Sequence, residues 1–491
     1  MTPLNGRTLA AIDAVPTLAY DRAAAAVGIV HIGFGNFHRS HQAMYVDALM
    51  SQGQALDWAI CGVGILPSDA SMRDAMRAQD GLYTLVLRHP DGRLEPRVVG
   101  SVLDYRFGPD DPAAVIDRMC DPAVRIVSLT ITEGGYVKDP ATGVFDAAHA
   151  DVVHDIAHPE RPRTAFSYIV RALRRRREQG IPPFTVLSCD NLQGNGDVAR
   201  QAVVGFAGQV DAELAAWIDE HVAFPNSMVD RITPATTDGD REALRREFDV
   251  EDRWPVPAEP FAQWIVEDEF AMGRPELELV GVQFVDDVRP YEEMKLRLLN
   301  GSHQAIAYLG SLLGHALVDE AMRDAHVRDY LVDYMWDEAI PTLAPVPGVD
   351  LDRYVDALIE RFSNAHMRDT LLRLATDGAN RMATFTLPTI RDNLIAGRPS
   401  PLGMLMLAAW AEYWARIASG AVPADAVPPD ALGSQMATAA GSTDPLAFIG
   451  IEPIFGGLAG NGRFRDAFAQ ARAQLVELGV HGAIEAARTP A

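Results

Sequence analysis

Lysine is almost missing from this chain. It occurs only at Lys138 and Lys295, and the other 41 of the 43 basic side chains are arginine. Each surviving lysine is therefore informative, because a buried amine can lose its proton near neutral pH whereas a guanidinium stays charged. Lys138 sits in the polar, turn-like run Tyr136-Val-Lys-Asp-Pro140 and reads as a solvated surface position. Cysteine is scarce as well. Cys61, Cys120 and Cys189 are far apart and odd in number, which excludes a disulfide framework and indicates a reducing compartment. No run of 18 apolar residues is present, so no membrane span is expected, and the N-terminus lacks the basic-then-apolar pattern of a secretory signal. Positive charge is in deficit: a net charge of −24 argues against nucleic acid or an anionic membrane as partner. These absences describe a cytoplasmic, soluble protein.

What is present suggests two domains, since 491 residues exceed the roughly 250–300 that one core organises. Val27-Gly-Ile-Val-His-Ile32 is a buried-strand pattern that ends in Gly33-Phe-Gly35, followed by helical spacing through residues 40–49. Further apolar runs at 58–65, 125–131 and 184–188 alternate with helical stretches such as 164–179. That alternation predicts an α/β domain built on a mostly parallel sheet covered on both faces. The four arginines 174–177 fall in the last turn before Gly180 and read as charges complementing a helix C-terminus. From about Pro290 strand signals nearly vanish and helical spacing dominates, as at 291–313, 321–336, 355–362, 403–418 and 465–478. The expected division is an α/β domain over 1–284 and a mostly α-helical domain over 285–491.

Glycines between a buried strand and a helix suit a dinucleotide pyrophosphate, because they permit close backbone approach at a helix N-terminus. The candidate cofactor turn is Gly33, Phe34, Gly35, Asn36, Phe37, His38 and Arg39, with Arg39 offering a direct phosphate contact. The usual third glycine is absent, and an ordinary strand–turn–helix corner gives the same spacing. Asp69, beyond the second strand, can accept hydrogen bonds from an adenosine ribose and repel a 2′-phosphate. NAD is thus expected over NADP, although Arg73 nearby would tolerate a phosphate.

The second lysine lies in the pattern Lys295-x-x-x-x-Asn300-x-x-His303. On a regular α-helix advancing about 100° per residue these three fall within an arc of roughly 140°. Gly301 lets another chain or ligand approach closely. Alcohol oxidation requires a base for the hydroxyl proton and donors for the developing oxyanion. Lys295 suits the base if burial lowers it from about 10.4, Asn300 is an amide donor, and His303 can orient a substrate hydroxyl. Asn191, after the strand at 184–188, is a second donor or a turn residue. Glu292, one helical turn before the lysine, and Glu133, at another strand end, are proton-relay or salt-bridge candidates. Metal chemistry is not expected: His-Glu-x-x-His and paired cysteines are absent, and His38 with His41 lacks further ligands. Neither lysine has the tyrosine four residues earlier that a short-chain dehydrogenase offers.

Several blocks resemble the polyol-specific long-chain dehydrogenase/reductase (mannitol dehydrogenase) family nearly end to end. They are Ile32-Gly-Phe-Gly-Asn-Phe-His-Arg-Ser-His-Gln-Ala43, Ser128-Leu-Thr-Ile-Thr-Glu-Gly-Gly-Tyr136, Ser188-Cys-Asp-Asn191, Phe224-Pro-Asn-Ser-Met-Val-Asp-Arg-Ile-Thr-Pro234, the 295–303 pattern and Thr376-Asp-Gly-Ala-Asn-Arg381. The resemblance implies a Rossmann-type N-terminal domain, a helical C-terminal domain, and metal-independent, reversible NAD-linked oxidation of D-mannitol to D-fructose. It implies a monomer or small homo-oligomer acting on a polyol or ketose. It carries Lys295 over as general acid/base, Asn191 and Asn300 as oxyanion donors, His303 as a positioning residue, and Val229, Asp230 and Arg373 as substrate contacts. One departure is Asn380-Arg381, where relatives commonly have serine then lysine, so Arg381 joins the substrate-binding candidates. Arabinitol dehydrogenases and fructuronate reductases of the same family share the lysine pattern, and an NAD-sensing regulator is the non-enzymatic alternative.

Overall fold

The computed structural model describes residues 1–138 and 143–489; Asp139 and Pro140 of the run around Lys138 lie outside them. The chain forms two compact units, Met1–Arg289 and Pro290–Ala491.

The first unit is organised by five parallel strands: β1 (Val27–Ile32), β2 (Ala59–Gly64), β3 (Val102–Phe107), β4 (Ile126–Leu129) and β5 (Thr185–Ser188), in the spatial order β3-β2-β1-β4-β5. This order reverses direction between β1 and β4, the arrangement that defines a Rossmann-type sheet. Alternation along the strands sends Val30, Ile32, Val63, Val127 and Val186 into one core, and Ile29, Ile60, Ile126 and Leu187 into another. The first core is completed by a helix over Ala165–Gln179, which contributes Phe166, Ile169 and Leu173. Two short helices follow β1: α1 (Asn36–Ser40) and α2 (Gln42–Ser51), the latter adding Val46, Leu49 and Met50 to the second core.

The sequence pattern did not disclose three smaller sheets, of which two have three strands each. One joins an antiparallel pair, Tyr83–Arg88 and Leu94–Val99, to Val256–Ala258. The other pairs β6 (Ser227–Asp230) antiparallel with β7 (Gln263–Glu267), flanked by Gln283–Val285. Arg176 also does more than complement the end of its own helix. Its side chain is fully buried, and its guanidinium donates to the carbonyls of Pro182, Met119, Asp121 and Val124. An arginine beside a chain crossing can satisfy carbonyls that the ends of elements leave unpaired.

The second unit has no strand among its described residues, only an isolated bridge between Leu317 and Thr370. Its elements include α3 (Arg289–Lys295), which begins at the unit boundary, then α4 (Gly301–Leu312), α5 (Ala325–Asp333), α6 (Leu371–Ala375), α7 (Pro401–Ala418) and α8 (Gly462–Arg488). One core runs through them, with Tyr308, Leu331, Leu407, Trp410 and Phe464 fully buried. Three π-helical segments interrupt this unit: Leu296–Asn300, Tyr334–Ala339 and Met382–Thr386. No described helix is long and apolar enough to cross a membrane.

Candidate active site

Because the central strands are parallel, their C-terminal ends share one edge, where open α/β sheets bind ligands. Gly33 and Gly35 follow β1, Asp69 follows β2, Glu133 follows β4, and Asn191 follows β5. Gly33 has φ of +89°, and a Cβ there would lie 2.0 Å from the Thr130 carbonyl oxygen, so both conformation and packing demand glycine. Gly35 differs. A Cβ there would meet nothing closer than the Gly33 oxygen at 3.7 Å, so this glycine leaves room in front of the turn. Helix α1 begins immediately behind it, and its first N–H groups have no intrahelical acceptor.

The side chains of this turn face inward. Phe34 packs against Gly62, where a Cβ would approach its ring to 2.6 Å. Phe37 stacks on His41 at 5.0 Å. His38 is fully buried and stacks on His31 at 3.4 Å, and burial holds its imidazole well below the ordinary range. His31 bridges Ser128 and Thr130 at 2.9 Å each, and burial lowers it to about 3. The phosphate contact expected of Arg39 is corrected here. Its side chain is fully buried, donating to the Trp254 carbonyl and to Asn36 Oδ1, both at 2.6 Å. Asn36 in turn donates to the Pro234 carbonyl and the Thr236 hydroxyl. These two residues fasten the turn to the segment after β6.

Asp69 caps its own turn by accepting from Leu66 N–H at 3.0 Å. Arg73 is engaged by Asp74 and Asp110 at 2.8 and 3.0 Å. Glu133 and Asn191 are both exposed. Between them lies Asp190, which sequence reasoning passed over. Its carboxylate accepts from Ile131 N–H, Thr132 N–H and the Tyr136 hydroxyl, tying the end of β5 to the end of β4. Burial pushes it up to about 6 against those three donors. Asn195 was also missed. It is buried, donates to the Asp190 and Ser227 carbonyls, and accepts from Ser227 N–H. Only the recurrence of Asp and Asn just after a strand hinted at either. Val229 and Asp230 are buried on β6, opposite Trp264 and Gln263. Lys138 is half-buried rather than solvated, with burial lowering its amine and Glu133 opposing that shift.

In the second unit, Glu292, Lys295 and His303 are buried and Asn300 is half-buried. The regular-helix arc needs correcting, because the π segment Leu296–Asn300 separates the lysine from the histidine. A π turn holds about one residue more than an α turn and sets later residues back by roughly 100°. Asn300 and His303 then fall roughly 40° and 20° to either side of Lys295, an arc of about 60° instead of about 140°. The bulge therefore brings the three onto a narrower face. Gly301 ends it, and a Cβ there would sit 2.9 Å from the Tyr334 hydroxyl and 3.6 Å from the Phe385 carbonyl oxygen. Those residues belong to the other two π segments, so all three irregular turns meet at this glycine.

The Asn300 Oδ1 is buried and has no hydrogen-bond partner among the described residues. The His303 ring lies 4.8 Å from Phe362. Arg373 grips Asp369 in a fork, at 2.6 Å through Nε and 2.5 Å through Nη2. Burial alone would raise the Asp369 carboxyl, but Arg373 and the nearby His303 hold it below the ordinary range. Arg381 donates to the carbonyls of Leu374 and Arg373, and Gln304 on α4 donates to the same Leu374 carbonyl. The two arginines are thus linked to the lysine-bearing helix pair through one short stretch of backbone.

A Rossmann-type unit with an open glycine turn, followed by an all-helical unit carrying a buried Lys-Asn-His face, is the architecture of a dinucleotide-linked oxidoreductase. The chain belongs to the mannitol dehydrogenase family, whose Rossmann domain matches residues 27–279 and whose C-terminal domain matches residues 287–476. It is 46% identical over 454 residues to the mannitol 2-dehydrogenase of Cereibacter sphaeroides, covering 92% of this chain and 94% of that one. The structure of Pseudomonas fluorescens mannitol 2-dehydrogenase, a ternary complex with NAD and D-mannitol, aligns with a TM-score of 0.89 and 44% identity over 99% of both chains. A substrate-free D-sorbitol dehydrogenase aligns with a TM-score of 0.86 and 38% identity, over 98% of this chain and 100% of that one.

Proposed function

We propose that this chain is an NAD-dependent polyol dehydrogenase that reversibly oxidises D-mannitol at C2 to D-fructose without a catalytic metal. The observation that carries the reading is the buried Lys295 on a face narrowed by a π turn, in a chain with one other lysine. The relatives support the substrate: one is named for mannitol, and another was solved with NAD and D-mannitol bound. The space left by Gly35 and the N–H groups opening α1 suit a pyrophosphate, so Gly33 to Phe37 would hold NAD through backbone and Asp69 its adenosine ribose.

When bound, NAD supplies the acceptor for hydride from the alcohol carbon. Lys295 takes the hydroxyl proton from the neighbouring oxygen, and in the reverse direction returns it to the carbonyl oxygen. Asn191 and Asn300 donate to that oxygen as charge develops. His303, held against Phe362, orients a hydroxyl. Glu292, three residues before Lys295, passes the proton onward; Glu133 is the exposed alternative. Val229, Asp230, Arg373 and Arg381 grip the remaining hydroxyls, with Arg373 fixed in place by Asp369. A cytoplasmic location and a monomeric or small homo-oligomeric state complete the proposal.

The likeness to a D-sorbitol dehydrogenase supports a second reading, in which another polyol is preferred. Initial rates with NAD and NADP against mannitol, sorbitol, arabinitol, fructose and fructuronate separate the two. We expect mannitol and fructose with the NAD couple to be fastest, and rates unaltered by a chelator. A faster sorbitol or arabinitol rate would move the assignment within the family. NAD binding with no turnover of any of these would replace it with a sensing role.

A further inference from the structure

We propose that Asp324, His326 and His481 form a binding site for a divalent transition metal of the zinc class, which clips the end of α8 to the start of α5. Neither the Lys295 set nor the proposed polyol chemistry uses these residues. His481 also lies beyond residue 476, where the family match ends. Among the described residues, they are the group whose donor atoms lie close enough to hold one ion, all within 4.8 Å of one another.

The geometry is that of a three-ligand site with an outer carboxylate. His481 Nε2 lies 2.6 Å from Asp324 Oδ2, and His326 Nδ1 lies 3.4 Å from Asp324 Oδ1. Donors around tetrahedral zinc are roughly 3.4 Å apart, so of the three pairs the His326–Asp324 pair already fits, the His481–Asp324 pair opens by under about 1 Å, and the two histidines, within 4.8 Å, close by up to about 1.4 Å. Glu485 Oε1 is 3.3 Å from His326 Nε2, the ring nitrogen turned away from Asp324. A carboxylate on the far nitrogen is the arrangement that fixes a ligating histidine's tautomer. The two imidazoles stack, with centroids 4.5 Å apart and planes 28° apart.

The backbone holds these residues in place. Asp324 is the N-cap of α5 and accepts from His326 N–H at 2.9 Å, which sets the separation of the two side chains. Helix α8 is broken at Gly479, whose φ of 69° and ψ of 179° are not helical, so the segment after it takes a new direction. That segment presents His481 and Glu485 four residues apart, on one face. It buries Ala483 and Ile484 and ends with Arg488 bonded to Asp333. A metal here would join chain positions more than 150 residues apart, given the 157 between Asp324 and His481.

The test uses the full chain, stripped with a chelator and titrated with zinc chloride by calorimetry, then with cobalt(II) to read its d–d bands. We expect one equivalent to bind, a rise of several degrees in Tm with zinc, and an unchanged polyol oxidation rate. His326→Gln and His481→Gln should each weaken binding by about tenfold or more and abolish the Tm rise. Asp324→Asn keeps a competent N-cap, so its loss of binding would not reflect misfolding. Saturable binding with the same affinity in all three variants would assign the metal elsewhere and overturn the proposal. Absence of stoichiometric binding in the parent chain would leave the cluster as an ion-pair network and overturn it equally.

Discussion

At the sheet edge of the first unit the groups proposed to hold the cofactor are backbone. Gly33 sits where any Cβ would strike Thr130, Gly35 leaves open space, and the nearby Phe34, His38 and Arg39 are turned into the core. On the lysine-bearing helix of the second unit the backbone is irregular and the groups proposed to do the chemistry are side chains, with Lys295, Asn300 and His303 drawn onto a narrower face by a π turn. Buried carboxylates brace both. Asp190 ties two loop N–H groups to a strand end, and Glu338, within the second π segment, accepts from Leu402 and Gly403 N–H at the start of α7. On this reading the first site should tolerate side-chain changes that leave its backbone in place, and the second should not.

The comparison is tested most severely at Lys295. Lys295→Met should lower kcat by about 10³-fold, the middle of the range for losing a general base, while NAD affinity stays within a factor of two, about 0.4 kcal/mol. Single-turnover rates and fluorescence titration with NADH check the two halves; a near-normal rate would remove the lysine from the mechanism. Gly33→Ala should act in the opposite sense. Forcing a side chain to φ of +89° against the Thr130 carbonyl should destabilise the first unit by about 3 kcal/mol, and weaken NAD binding along with stability. Urea denaturation read with and without NAD measures both. Unaltered stability would mean that the turn yields more than its packing indicates.

These two sites were also legible to different degrees. A short β-branched run ending in glycine is a local signal, so β1, β2, β4 and β5 and their shared edge could be read within a residue or two. Lys295, Asn300 and His303 could be chosen as candidates from the sequence, but the width of the helical face they share could not be read. An α-period assigns 100° to every residue and carries no mark of the extra one in a π turn. Arg39 was misread for a related reason. Arginine beside a phosphate turn is chemically apt, and nothing local reveals that Trp254, 215 residues away, supplies its acceptor. Asp190 and Asn195 were no more than hinted at, because the partners that bury them lie on other elements.

The bracing carboxylates give a smaller effect that separates the units by pH. Burial pushes Asp190 up to about 6 and Glu338 up to about 8, both above their unfolded values. A carboxyl raised on folding favours the native state while protonated, so its contribution is lost as pH rises through the folded value. For Asp190 that loss falls between about pH 4 and 6, and for Glu338 between about pH 5 and 8. From pH 6 to 8 the second unit should therefore lose about 2 kcal/mol while the first changes little. Hydrogen exchange, followed unit by unit, reads this directly. Glu338→Gln should flatten the slope in the second unit, and equal slopes in both units would break the distinction.

The smallest effect is expected at Arg381, where the family resemblance implies lysine. Its Nη1 reaches the carbonyls of Leu374 and Arg373, and the first of these also accepts from Gln304. Lysine keeps the positive charge but replaces a planar fork with a single ammonium. Arg381→Lys should then cost about 0.5–1 kcal/mol of stability and shift KM for mannitol by about threefold or less, with kcat unchanged because the proton-transfer face is untouched. Its sharpest readout is the ratio of kcat/KM for mannitol to that for sorbitol. A constant ratio means that Arg381 braces the backbone carrying Arg373; a change of tenfold or more, about 1.4 kcal/mol of discrimination, would mean that the guanidinium itself reads the polyol.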